Sequence, residues 1–110
     1  MAYDEQLAER VRDLLGDEAG VTEKRMFGGL AFLVEERLTV AASSHGGLMV
    51  RVDPAQEDDL LADPHVEPVV MRGRPMSGWL HVRPAGVAAE DDLGRWVRRG
   101  VERARSLPAG

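Results

Sequence analysis

The chain has 110 residues, 44% of them hydrophobic and 30% charged, with a formal net charge of −5 and no cysteine. This length and composition fit one folded domain with its own core, and they exclude a disordered chain, disulfides and thiolate metal sites. Met1-Ala2-Tyr3-Asp4-Glu5 lacks the basic and apolar regions of a signal peptide, and no run approaches the ~20 apolar residues of a membrane helix. The expectation is a single cytoplasmic domain over 1–110 that has no membrane contact and a flexible tail at about 108–110.

Tyr3, Leu7, Val11, Leu14 and Leu15 recur at helical spacing. With Asp4 as N-cap and Gly16 at the C-terminal side, they predict a first helix over roughly 4–15. Thr22–Phe27, Leu30–Glu35, Leu38–Ser43 and Leu48–Val52 are short apolar and β-branched runs. Gly28-Gly29, Glu36-Arg37 and His45-Gly46-Gly47 divide them, and gaps this short force antiparallel neighbours. Leu30-Ala31-Phe32-Leu33-Val34 is apolar throughout. It reads as a strand covered on both faces or bordering an oligomer contact.

Asp53-Pro54-Ala55-Gln56 predicts a short helix to about Leu61, with Asp53 as cap, Pro54 first and Gln56 closing a capping box. Pro68–Arg72 and Trp79–Arg83 read as a second hairpin, joined by a long loop from Gly73 to Gly78. Leu93, Trp96, Val97, Gly100, Val101 and Ala104 predict an amphipathic helix over about 89–106. Acids fill its first turn and arginines its end, as the helix dipole favours. The order is helix, three or four strands, short helix, hairpin, helix. This is an α+β, two-layer fold with helices packed against an antiparallel sheet.

Several segments taken together resemble the TfoX N-terminal domain (TfoX/Sxy) family. They are Arg25-Met26-Phe27-Gly28-Gly29 with Leu30-Ala31-Phe32, Leu48-Met49-Val50-Arg51-Val52, Gly73-Arg74-Pro75-Met76 with Gly78-Trp79, and Leu93 to Trp96-Val97. Their order and spacing extend over nearly the whole chain. The resemblance implies an α+β domain with an antiparallel sheet, and a role tied in some bacteria to the regulation of natural competence. Longer members carry a second, helical domain after this one. The family brings no catalytic residues to carry over.

The residues themselves show no reaction centre. His45, His65 and His81 lack metal-ligand spacing, and nothing in the spacing places them together. Ser43, Ser44, Ser77 and Ser106 sit in no nucleophile pattern, and the one lysine is Lys24. No catalytic, cofactor or metal residue is therefore expected.

Gly28-Gly29 reads as a hairpin turn, or as backbone left bare for a partner or anion. On the Gly73–Gly78 loop, Arg74 and Met76 are either a solvated tip and a packing residue or a contact for a partner. Arg95, Arg98, Arg99 and Arg103 share one side of the last helix, which is either a solvated face or a docking face.

Charge divides unevenly along the chain. Residues 1–70 hold six Lys/Arg against fifteen Asp/Glu, a net −9, and residues 71–110 hold eight arginines against four acids, a net +4. The candidate interaction residues are Arg25, Gly28, Gly29, Arg72, Arg74, Met76, Arg95, Arg98 and Arg99. The expected function is non-enzymatic: a regulatory or interaction domain acting through protein partners, a second copy of the chain being one option. The alternatives are a nucleic-acid-associated transcriptional regulator using Arg72, Arg74 and the last helix, which the acidic total disfavours, and an enzyme with an unrecognised site.

Overall fold

The computed structural model describes residues 3–26 and 28–108. Phe27 of the resemblance segment and the end of the expected tail, 109–110, lie outside the described residues.

Helix α1 spans Glu5–Leu14, and the Asp4 carboxylate caps it by accepting from the Gln6 and Leu7 amides. Leu15 is the C-cap of α1 and Gly16 follows it, as expected, without a positive φ. Strands β1 Val21–Met26, β2 Gly29–Val34, β3 Arg37–Ala42 and β4 Leu48–Arg51 follow. A 3-10 turn, Pro54–Gln56, leads into the short α2, Glu57–Leu60. Strands β5 Val66–Met71 and β6 Arg74–Val82, a 3-10 turn at Pro84–Val87, and α3 Glu90–Ser106 complete the chain. Among the described residues, no helix is long and apolar enough to cross a membrane.

The six strands form one antiparallel sheet in the order β1-β2-β3-β4-β6-β5. Register explains its two faces, because directly paired residues share a face. One cross-strand row runs Leu30, Ala42, Leu48, Val82, Val66, and a second runs Phe32, Val40, Val50, Leu80. These rows meet Leu7, Val11 and Leu15 of α1 and Leu93, Val97 and Val101 of α3 in the main core.

On the opposite face a row crosses all six strands as Lys24, Ala31, Ala41, Met49, His81, Glu67. It is charged at both edges and apolar in the middle. Ala31, Ala41, Met49, Val69 and Trp79 bury one another there, with Met26, Leu38, Met71 and Met76 packed around them. Thus β2 is buried on both sides, as its unbroken apolar run implied, although helices cover only one of them.

Three local expectations are corrected. The β2–β3 turn is Glu35-Glu36, not Glu36-Arg37, and both residues are left-handed, with φ of 50° and 68°. Glu36→Gly is therefore expected to raise stability by about 0.5–1 kcal/mol in urea unfolding, because it relieves the left-handed cost of a residue with a side chain. A loss of stability would mean that this turn is not left-handed.

The expected loop from Gly73 to Gly78 is strand. Arg72 and Gly73 have φ of 52° and 76°, which closes a tight two-residue hairpin, so Arg74 pairs with Met71 and Pro75 with Val70. Pro75 is tolerated because β6 pairs with β4 only over Trp79–Val82, leaving its first half an edge. Finally, Gln56 closes no capping box; its side chain turns toward α3 instead.

Candidate functional site

The arginines of α3 owe their placement to the apolar stripe beneath them. Leu93, Val97, Gly100, Val101 and Ala104 are buried, and this turns Arg95, Arg98, Arg99 and Arg103 outward along the flank beside Asp53 and Gln56. Ion pairs fix both ends of the helix. Arg10 of α1 binds Glu90 at 2.6 Å and donates to the Val87 and Ala88 carbonyls. Arg105 binds Glu18 at 2.8 Å.

Between α3 and the Pro54–Gln56 turn lies an open groove of about 430 Å³. Arg95, Arg98, Arg99 and Arg103 line it together with Asp53 and, from α3 itself, Glu102. The groove thus carries two more positive charges than negative ones among these side chains. Asp53 is occupied in capping, its Oδ1 accepting from the Ala55 amide at 2.9 Å.

Arg99 is held in place: it donates to Gln56 Oε1 at 3.1 Å and lies 5.8 Å from the centre of the Trp96 ring. Arg95 pairs with Asp92 one turn back. Arg103 reaches only Ser106 of its own helix, at 3.4 Å. Arg98 is exposed and makes no hydrogen bond or ion pair with any described residue.

The helix dipole accounts for Arg103 and Arg105 in the last turn. It does not account for Arg95, Arg98 and Arg99 in the middle. Arg95–Arg98, Arg95–Arg99 and Arg99–Arg103 are like-charge pairs at three and four residues' spacing. Each costs about 0.2–0.5 kcal/mol, which the Arg95–Asp92 pair and Glu102 offset only in part. An anionic group seated between them would remove that repulsion. From Arg95 to Arg103 the strip is about 12 Å long at 1.5 Å per residue.

The other candidates do not join this strip. Arg25 lies exposed on β1, and Arg72 and Arg74 form the exposed β5–β6 tip. Those strands are opposite edges of the sheet, five strand spacings or about 24 Å apart. Gly28 takes a φ of 73° in the β1–β2 turn. Gly29 belongs to β2 and pairs with Met26; a Cβ there would lie 2.0 Å from the Ala42 carbonyl oxygen, so its bareness serves packing. Met76 is half-buried in the second apolar cluster.

The histidines also need correction. His45 and His81 line one pocket of about 360 Å³ on the helix-free face, despite their separation in sequence. His81 Nδ1 lies 2.7 Å from Glu67 Oε2, and Nε2 lies 2.7 Å from the Gly46 carbonyl. Arg83 donates to the other Glu67 oxygen at 3.1 Å. No group of three or more His, Asp or Glu is placed to hold a metal among the described residues.

Hydrogen bonds from His81 and then Arg83 hold the Glu67 carboxyl below the ordinary glutamate range, and Arg12 does the same to Glu23. A lowered folded pKa contributes stability that is fully present above the unfolded value, near ~4.3, and is lost as pH falls through the folded one. Thermal unfolding should therefore show an acid limb beginning below about pH 4.3. Glu67→Gln should flatten part of that limb, by less than about 1 kcal/mol because the pair is partly exposed. An unchanged limb in this variant would show that Glu67 has no such role.

The sequence model of the TfoX N-terminal domain matches residues 13–104 of the 110. No curated protein matches this chain.

Proposed function

The chain belongs to the TfoX N-terminal domain family, whose membership indicates a regulatory or interaction domain, and we propose that it acts by docking an acidic segment of a partner protein into the arginine groove of α3. The observation that carries this reading is the concentration of Arg95, Arg98, Arg99 and Arg103 in one groove, with Arg98 unpaired among the described residues. Shape and charge suffice for such a role, so it requires neither nucleophile nor cofactor.

Protein is favoured over nucleic acid on two grounds. The whole chain carries −5, which repels a phosphate backbone outside the groove, and Asp53 and Glu102 stand inside it. The strip also suits three or four residues of extended chain, at about 3.3 Å each. The docked protein would be a competence regulator, as the resemblance implies, acted upon in the cytoplasm.

Reversing the charge in Arg98→Glu/Arg99→Glu should weaken capture of the native partner from cell extract at least tenfold, while Arg25→Ala and Arg74→Ala leave it unchanged. Equal recovery by wild type and the reversed variant would defeat the reading. A DNA duplex bound with a steep salt dependence would favour the nucleic-acid alternative instead.

A further inference from the structure

The helix-free face of the sheet holds a second feature, which is independent of the arginine groove. The pocket beside His81 combines apolar walls with a small polar end. Met49 and Val69 are buried at its floor, Met71 is half-buried at its side, and Val70 stands 59% exposed at its rim. Val70 and Leu14 are the two exposed large hydrophobics among the described residues. Val70 alternates with Val69 and Met71, which pack on the helix-free face, so its side chain turns to the other side of the edge strand β5. About 360 Å³ lies at the lower end of the ~300–1,000 Å³ typical of small-molecule sites.

The polar end comes from the β3–β4 loop. Ser43 is only 6% exposed, and its Oγ accepts from the His45 amide at 3.1 Å. The Ser43 hydroxyl proton has no acceptor among the described residues, and neither does the His45 ring have a partner there.

The loop is pinned rather than loose. Gly46 contacts the His81 ring, and Gly47, with a φ of 76°, lies so close that a Cβ would sit 2.3 Å from the Val82 carbonyl oxygen. Both His81 nitrogens are therefore engaged, and Arg83 and His81 face the charge of Glu67. The groups left to meet a ligand are the Ser43 hydroxyl and the His45 ring.

We propose that this pocket binds a small amphipathic acid. Its aliphatic chain would lie among Met49, Val69 and Met71, and its carboxylate would accept from Ser43 and His45. Unbranched, polarisable methionine side chains suit a site that must mould itself to a flexible chain. The Glu67 carboxylate also lines the pocket, and its bonds to Arg83 and His81 offset its charge there. A bound acid would lock the β3–β4 loop to β5 and make this face a ligand-responsive surface.

The test titrates the full chain, carrying ¹³C-methyl methionine, with octanoate, octanol and octylamine. Octanoate is expected to shift the Met49 and Met71 methyl signals saturably and to leave those of Met26 and Met76 in place. Octanol should bind about tenfold more weakly, as expected for loss of a hydrogen bond to a charged group. Ser43→Ala should lower octanoate affinity by a similar factor. No saturable shift with octanoate, tighter binding of octylamine, or unchanged affinity in Ser43→Ala would overturn the proposal.

Discussion

Alanine at Gly100 is expected to destabilise the domain by about 2–3 kcal/mol, whereas alanine at Gly94 of the same helix stabilises it by up to about 1 kcal/mol. Intrinsic propensity treats the two alike, since glycine inside a helix costs roughly 1 kcal/mol relative to alanine. Their surroundings reverse the sign. A Cβ on Gly94 meets nothing within 4 Å. A Cβ on Gly100 would lie 2.6 Å from the Thr39 carbonyl oxygen and 2.8 Å from Val40 Cγ1, so α3 would have to lift off β3.

The Thr39 carbonyl cannot yield easily. The Thr39 side chain is fully buried and donates to the Phe32 carbonyl at 2.9 Å, across the register shift between Phe32 and Leu33. Lifting α3 also moves the arginines away from Gln56. Gly100→Ala should therefore weaken partner capture as well as lower the urea midpoint, while Gly94→Ala leaves capture intact. Destabilisation of similar size at both positions would mean that α3 does not rest directly on the β3 backbone.

Phe32→Ala should cost about 3–5 kcal/mol. Phe32 has no exposed surface and sits in the cross-strand row Phe32, Val40, Val50, Leu80, under the two long helices. Neighbouring strands fix the walls of this site, so the space left by the ring cannot collapse. A domain of this length holds about 5–15 kcal/mol in total, and at the lower end of that range the variant should lose more than half of it. A cost below about 1.5 kcal/mol, read from chemical denaturation, would place Phe32 outside the core.

The parts legible in the sequence are those governed by spacing. The stripe from Leu93 to Ala104 gives α3 to within a residue and, by the same arithmetic, puts Arg95, Arg98, Arg99 and Arg103 on one flank. The first four strands follow from the apolar runs to within about a residue, whereas β5 begins two residues and β6 five residues before the expected hairpin. What spacing missed came from contacts between distant segments. Gly73, Pro75 and Gly78 read as loop punctuation. However, Arg72 accepts a left-handed conformation, and Gly78 bonds Val52 and Glu57, which keeps β6 running through. Gln56 reads locally as a capping residue, but α3 passes close enough for Arg99 to claim it. The pocket that joins His45 to His81 depends on pairing β4 with β6 and β5 with β6, which no local pattern encodes.

Docking of acidic polypeptide between α3 and the Pro54–Gln56 turn is open to amide chemical-shift mapping with a short glutamate-rich peptide, at low and then high salt. Saturable shifts are expected, confined to the segment from Arg95 to Ser106 and to Asp53 through Gln56, weakening as salt rises and absent in Arg98→Glu/Arg99→Glu. Shifts centred instead on the Arg25 or Arg74 turns, or none at low salt, would contradict it.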